Sequence, residues 1–236
     1  ASRVVIVDTQ PPAITLDNLT DDNIINAAEA QQDLVLSGST TAEAGQTVTV
    51  TLNGKSYQTT VQADGRWQLN VPAADVGALT DGNVTVTATV SDVAGNSSSA
   101  DRVGLVDATV PQVIINDFVT DTNTVNQLAH SQAQILSGSV TGAAAGDTVS
   151  VTVGGKSYTA TVGSDLKWSV TIPSADLQAF GDGELTFSAS VTNAHGNTGT
   201  GERDININAE LPGLRVNTIS GDDVINAIEQ QQDLAV

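Results

Sequence analysis

Residues 47–54 read Thr-Val-Thr-Val-Thr-Leu-Asn-Gly. The alternation places Val48, Val50 and Leu52 on one face of the backbone and threonines on the other, which is the period of a β-strand. The final Asn-Gly pair tolerates positive φ angles and is typical of the two-residue turn of a β-hairpin. The stretch therefore predicts a half-buried strand that leads through a tight turn into a second strand.

Short alternating segments continue on both sides of this hairpin. The predicted strands cover residues 13–16, 33–38, 47–52, 56–61, 66–71, 83–91 and 102–106, and single helical turns are predicted at 27–30 and 72–79. Seven short strands within about 100 residues favour an all-β fold, an immunoglobulin-like β-sandwich. We expect Trp67, Trp168, Tyr57 and Tyr158 in the cores, with sugar stacking as the alternative role of the tryptophans.

The pattern repeats along the chain. Thr-Asp-Asp-Asn-Ile-Ile-Asn at 20–26 returns in related form at 120–126 and 220–226, and Leu-Ser-Gly-Ser and Gly-Lys-Ser-Tyr each occur twice in the same order. Self-similarity at a fixed period indicates a tandem array. We interpret residues 1–8 as the end of a preceding repeat, 9–107 (unit one) and 108–208 (unit two) as complete immunoglobulin-like repeats, and 209–236 as the start of a following repeat. The sequence is thus expected to be a fragment of an elongated array.

The composition excludes several classes of partner. The chain carries 27 Asp plus Glu against eight Lys plus Arg, a formal net charge of −19, so phosphate backbones would be repelled and nucleic-acid binding is not expected. No run of about 18 apolar residues is present, which predicts no direct membrane insertion. The acidity favours either simple solubility or the binding of cations by carboxylates.

No pattern of catalytic residues stands out. The chain has no Cys, hence no thiol nucleophile or zinc thiolate site, and no nucleophile elbow or phosphate-binding glycine loop is evident. His130 and His195 have no counterparts in unit one, and we expect each to be a solvated loop residue. We therefore predict that the chain is not an enzyme.

The loop between the first two predicted strands is rich in oxygen ligands of the kind that calcium prefers. The candidate ligands are Asp21, Asp22, Asn26 and Glu29 in unit one, Asp121 in unit two, and Asp222, Asp223 and Glu229 in the last segment. The alternative is that Asn26 and Glu29 cap a short helix. Unit two has Ala129 in the position of Glu29, which predicts weaker calcium binding there.

A second candidate calcium site lies at each junction between repeats. In an immunoglobulin-like unit, the first strand and the loop between the last two strands lie at the same end. The predicted calcium ligands are Asp8, Asp92 and Asn96 at the first junction, and Asp107, Asn193 and Asn197 at the second. A cation shared across a junction would clamp neighbouring repeats, whereas an ordinary Asx turn in the loop is the alternative.

These motifs together resemble the extender repeats of very large RTX-type adhesins of Gram-negative bacteria. The resemblance rests on Val7-Asp8…Pro12 with its copy Val106-Asp107…Pro111, on the acidic loop that ends at Glu29, and on Asp-Val-Ala-Gly-Asn at 92–96. It implies type I secretion, calcium at domain junctions and a location outside the cell, anchored at the surface through another part of the parent protein. It also implies a spacer that holds a terminal adhesion domain away from the cell for attachment or biofilm formation.

The expected partners are neighbouring repeats of the same chain and calcium ions, and we expect the chain to be monomeric. Two other functions stay open. A module that binds carbohydrate or a host protein should show an exposed aromatic platform or a long irregular insertion in one unit. A structural array of the cell surface would share the composition seen here.

Overall fold

The computed structural model describes residues 3–118, 123–215, 227 and 229–231. Almost all regular structure in these residues is β-strand, as the alternation predicted. Unit one contains β1 (Ile24–Asn26), β2 (Leu34–Ser39), β3 (Thr47–Leu52), β4 (Lys55–Thr60), β5 (Arg66–Val71), β6 (Gly82–Ser91) and β7 (Ser97–Asp107). Unit two contains β8 (Gln112–Ile115), β9 (Thr124–Asn126), β10 (Gln134–Thr141), β11 (Thr148–Val153), β12 (Lys156–Thr161), β13 (Lys167–Ile172), β14 (Gly183–Thr192) and β15 (Thr198–Asn208).

Helices are short, and all those described except the last lie between strands. They are α1 (Ala73–Val76), α2 (Gln127–His130), α3 (Ser174–Ala179) and two 3-10 helices, Glu29–Gln31 and Glu229–Gln231. Helical turns were predicted close to α1 and to the first 3-10 helix. The carboxylate of Asp33 accepts a hydrogen bond from the first backbone N–H of α1, at Ala73, over 2.8 Å. This contact satisfies one of the free N–H groups that every helix has at its start.

Each unit is a sandwich of two sheets. In unit one a five-stranded sheet, in the order β1-β7-β6-β3-β4, faces the antiparallel pair β2-β5. In unit two the order β12-β11-β14-β15-β9 faces β13-β10-β8. Each unit has its own hydrophobic core between the sheets. The all-β, immunoglobulin-like prediction is therefore confirmed.

Two predicted details differ from the structure. Residues 13–16 make only an isolated bridge between Ile14 and Thr40, whereas the equivalent segment of unit two forms the regular strand β8. The acidic loop, in which no strand was predicted, contains β1, which pairs in parallel with β7. A strand of three residues is too short to give a readable alternation in the sequence.

The tryptophans lie in the cores, as predicted. Trp67 is 1% exposed and Trp168 is 2% exposed. Each ring packs against a glycine of the repeated Leu-Ser-Gly-Ser motif, because a β-carbon on Gly38 or Gly138 would lie 2.7 or 2.5 Å from the ring. The repeated glycine is therefore explained by close packing between β2 and β5, and between β10 and β13.

The tyrosines pack against the cores, as predicted, but both are only partly buried. The hydroxyl of Tyr57 donates to the carboxylate of Asp75 over 2.7 Å, and the ammonium of Lys55 contacts the same carboxylate. Lys156, Tyr158 and Asp176 repeat this arrangement in unit two. The Gly-Lys-Ser-Tyr repeat thus serves to attach a short helix to the edge strand of the larger sheet.

The chain enters and leaves unit one at opposite ends. β6 is ten residues long, between Asp81 and the hairpin loop 92–96. Asp8, where the chain enters, contacts that loop, and Ala108, just past the end of β7, donates to Asp81 over 2.9 Å. At about 3.3 Å per residue, these two ends are separated by roughly 33 Å.

Candidate functional site: the junctions between units

The β6–β7 loop is a tight, internally hydrogen-bonded turn. Asp92 is 9% exposed, and its carboxylate accepts hydrogen bonds from the backbone N–H of Asn96 over 2.8 Å and from the side-chain amide of Asn96 over 2.9 Å. Chiefly because of the hydrogen bond from the Asn96 amide, the pKa of Asp92 lies below its usual value. Asp92 is therefore held as a carboxylate at the end of the unit.

The structure brings Asp8 to this loop. The amide of Asn96 donates to the backbone carbonyl of Asp8 over 3.3 Å, while the carboxylate of Asp8 accepts from the backbone N–H of Gln10 over 3.0 Å. Asp8, Asp92 and Asn96, predicted from the sequence to share one site, thus lie at one end of unit one. Their contacts include the Asx turn of the alternative interpretation, and calcium binding by these three residues stays a prediction.

Glu43 adds a third carboxylate that the sequence reasoning missed. Its Oε2 atom accepts from the backbone N–H of Val93 over 3.1 Å, and Glu43 and Asp8 line the same open depression. The one available signal was position: Glu43 precedes β3, and the turn before β3 lies at the end of the sandwich where the β6–β7 loop also lies. Unit two has Ala144 at the equivalent position.

The second junction has the same layout with different chemistry. The amide of Asn197 donates to the backbone carbonyl of Asp107 over 2.8 Å, and its oxygen accepts from the backbone N–H of Ala27 over 2.7 Å. Asn193 accepts from the backbone N–H groups of His195 and Asn197. The predicted group Asp107, Asn193 and Asn197 is therefore assembled, and two of its members join the units directly.

Both histidines differ from the prediction that they are solvated loop residues. Nδ1 of His195 contacts the carboxylate of Asp107, and the His195 side chain is 37% exposed. His130 lies in α2 and is partly buried, with Nε2 2.7 Å from the backbone carbonyl oxygen of Leu177 in α3. For His195 the sequence pattern could not show this, because a residue at a junction is recognised only when the facing unit is placed.

The acidic loop of unit one shows the contacts of a helix cap. The side-chain oxygen of Asn26 accepts from the backbone N–H groups of Ala28 and Glu29, and the carboxylate of Glu29 accepts from the backbone N–H of Asn26 over 3.0 Å. This reciprocal pair has the hydrogen bonds of a capping box, formed around the turn at 26–29 that leads into the 3-10 helix beginning at Glu29. These contacts correspond to the capping alternative, and calcium binding at the loop stays a prediction.

The other acids of this loop have separate roles. Asp22 accepts from the backbone N–H of Ile24 over 2.9 Å, and this hydrogen bond is the main cause that lowers the pKa of Asp22. Asp33 accepts from the amide of Asn70 and from α1, which lowers its pKa. Asp21 lines an open depression together with Glu29 and Asp33. Three of the four carboxylates thus line one depression, and Asp22, Glu29 and Asp33 each accept a hydrogen bond from a backbone N–H.

Some predicted ligands lie outside the described residues, namely Asp121, Asp222 and Asp223. Glu229 begins the second 3-10 helix. In the described part of the chain, no group of three or more His, Asp or Glu side chains is arranged as a metal cluster. A calcium site at a junction would therefore need amide and backbone oxygens besides the carboxylates.

Comparisons with known proteins relate the chain to bacterial Ig-like domains and to adhesin repeats. The sequence profile described as Bacterial Ig-like domain matches residues 9–110. A Ca2+-stabilized adhesin that helps an Antarctic bacterium reach out and bind ice is 32% identical, with a TM-score of 0.57 over 94% of this chain and 55% of that one. Part of a 1.5-MDa bacterial ice-binding adhesin, studied for host cell surface retention, is 30% identical, with a TM-score of 0.52 over 94% of this chain and 73% of that one.

The chain thus spans 55% and 73% of the length of these two relatives. No curated protein sequence matches it. Among the described residues, no helix is long and apolar enough to cross a membrane.

Proposed function

Because this chain belongs to the family of bacterial Ig-like domains, as repeated in the extending regions of large adhesins, we propose that it is a non-enzymatic spacer of a cell-surface adhesin. In this role the repeats are joined end to end and hold a terminal adhesion domain away from the cell. Secretion to the cell surface, anchoring through another part of the parent protein, and attachment or biofilm formation belong to the same proposal.

The single observation that carries the proposal is the position of the two ends of each unit. The chain enters unit one beside the β6–β7 loop and leaves it beside Asp81, roughly 33 Å away along β6. Unit two repeats the layout, with Asp107 beside Asn197 and with Ala209 donating to Asp182 over 3.0 Å. Each added unit therefore adds its full length to the array, which is what a spacer requires.

We further propose that calcium stiffens the first junction, through Asp8, Asp92, Glu43 and the amide oxygen of Asn96. Asp8 and Glu43 line one open depression beside the loop that holds Asp92, and calcium accepts carboxylate, amide and backbone oxygens in flexible geometry. The adhesin of the Antarctic bacterium is described as Ca2+-stabilized, which supports the proposal. Extracellular modules bind calcium with constants of about 0.1–1 mM. At a hundredfold excess, such a site stabilises the bound form by about 2.7 kcal/mol.

Small-angle X-ray scattering of the chain tests the spacer function. We expect a rod-shaped particle of constant cross-section whose maximum dimension exceeds roughly 70 Å, as for two units placed end to end. A compact particle with the two units side by side would contradict the proposal. Screening against immobilised glycans and host extracellular proteins tests the competing ligand-binding function. We expect no saturable binding to unit one or unit two.

A further inference from the structure

We infer that the second junction is locked by direct hydrogen bonds and does not need a divalent cation, in contrast to the first. The second junction comprises Ala27 and Asp81 of unit one, the connecting residues 107–109, and His195 and Asn197 of unit two. The inference rests on the proposed spacer function. At the second junction, hydrogen bonds supply the stiffness that calcium is proposed to supply at the first.

Asn197 is the central residue of the second junction. It is 2% exposed, and both ends of its amide are used: Nδ2 donates to the Asp107 carbonyl and Oδ1 accepts from the Ala27 backbone N–H. A calcium ion that took Oδ1 as a ligand would compete with the Ala27 N–H for the same oxygen. Because Ala27 is in unit one, this hydrogen bond itself joins the two units.

His195 occupies the place where a cation would approach Asp107. A carboxylate oxygen only accepts hydrogen bonds, so Nδ1 of His195 carries the hydrogen in their contact. Calcium prefers oxygen ligands, and an imidazole donor beside the carboxylate supplies a hydrogen where an ion would need a lone pair. Unit one has Ala94 at the equivalent position, so no imidazole from this position can contact the carboxylate of Asp8.

The second junction also has fewer carboxylates to attract a cation. Asn193 replaces Asp92, and Ala144 replaces Glu43. Asp107 and Asp147, which line one depression, are the two carboxylates near this loop, against Asp8, Asp92 and Glu43 at the first junction. The electrostatic attraction for a divalent ion is therefore weaker than at the first junction.

The linker itself is fixed at both ends. On the side of unit one, Asp81 accepts from the backbone N–H of Ala108 over 2.9 Å and from the hydroxyl of Thr109 over 2.6 Å. On the side of unit two, Pro111 is buried and so close to β15 that a β-carbon on Gly199 would lie 1.8 Å from its carbonyl oxygen. Few backbone torsions are left free between these two anchors.

Spin-label distances across the junction test the inference. The chain has no Cys, so Thr60→Cys and Thr159→Cys on exposed strand positions of the two units give a single labelled pair. We expect a narrow distance distribution of equal width in calcium and in chelator. The double variant His195→Ala/Asn197→Ala should widen the distribution at least twofold in both conditions. Asp182→Asn is the matched control, because Asp182 contacts Ala209 beyond the junction. The distance distribution of this variant should be as narrow as that of the parent.

Two results would overturn the inference. One is a parent distribution that widens in chelator and narrows again with calcium, which would make Asp107 part of a calcium site. The other is a double variant, folded by circular dichroism, whose distribution stays as narrow as the parent's.

A converse variant separates this inference from the proposed function. Ala144→Glu/Asn193→Asp/His195→Ala introduces the side chains that the first junction has at these positions, those of Glu43, Asp92 and Ala94, and we expect its distance distribution to become calcium-dependent. If the parent is calcium-independent but this variant also fails to respond, the hydrogen-bonded lock stands and the proposal of calcium at the first junction fails.

Discussion

The side-chain amide of Asn197 donates a hydrogen bond to the backbone carbonyl of Asp107 over 2.8 Å, across the boundary between two sandwiches. Asn96 makes the equivalent contact to Asp8 over 3.3 Å. In both places the last hairpin of a unit recognises the backbone of the segment that enters it. The backbone contact is common to the two junctions, so the differences between them lie in the side chains around it, notably Ala94 against His195.

Close packing of Gly138 against Trp168 predicts a large effect of a single methyl group. A β-carbon at Gly138 would lie 2.0 Å from the carbonyl oxygen of Ile114, so Gly138→Ala forces β8 and β10 apart. We expect a loss of roughly 1–3 kcal/mol in the free energy of unfolding of unit two. Chemical denaturation measures this loss. Gly181→Ala is the control, since no atom lies within 4 Å of its added carbon, and equal stability of the two variants would contradict the packing account.

The capping box of Asn26 and Glu29 predicts an ordered set of stabilities. Asn26→Ala removes the acceptor for two backbone N–H groups and should cost about 1 kcal/mol. Glu29→Gln keeps an oxygen for the Asn26 N–H and should be close to the parent in chelator, whereas Glu29→Ala should be less stable. Thermal denaturation in chelator checks this order.

The same variants test the sequence-based prediction of calcium at this loop. If the parent gains more stability from added calcium than Glu29→Gln does, the carboxylate of Glu29 is a ligand. Equal gains assign the residue to the cap alone.

Stability should depend on pH in two windows because of the Lys-Tyr-Asp clusters. The pKa of Asp75 is lowered by the Lys55 ammonium and then by the Tyr57 hydroxyl, so its contribution to stability is present above about pH 4 and is lost as the pH falls further. Burial, and then the hydrogen bond to Asp75, raise the pKa of Tyr57 to about 12. That contribution is present below about pH 10 and is lost as the pH rises through about 12.

Urea denaturation between pH 2 and pH 12 measures both windows. We expect the free energy of unfolding to be constant from about pH 5 to about pH 9. In Asp75→Asn/Asp176→Asn it should change less with pH below and above this range. Asp64→Asn/Asp165→Asn changes one exposed turn residue in each unit and is the control for the loss of two negative charges. A double variant whose pH profile matches that of the control would contradict the role of the clusters.

The alternation of apolar residues was sufficient to predict most of the fold. Strands β3 and β5 agree with the predicted segments, and Asn53 and Gly54 both have positive φ, as the hairpin required. The prediction failed where regular pairing depends on a few hydrogen bonds. Residues 13–16 follow the edge of β2 without forming a ladder, and β1 has only three residues. The alternation of apolar residues therefore does not determine whether either segment forms a regular strand.

The candidate junction residues were identified from the sequence because the order of strands places the hairpin loop beside the incoming chain. What the sequence could not reveal is the part played by neighbours distant along the chain. Glu43 is 50 residues from Val93, and Ala27 is 170 residues from Asn197. Such contacts depend on how loops meet at the end of a sandwich, and no periodicity encodes them.

Isothermal titration calorimetry with calcium tests the central claim, that carboxylates at the first junction bind the ion. The parent chain should bind calcium with a constant of about 0.1–1 mM. Asp92→Asn, which keeps the size of the side chain and removes its charge, should weaken that binding at least tenfold, whereas Asp165→Asn should leave it unchanged. A titration without calcium heat, or one that Asp92→Asn leaves unaltered, would contradict the claim.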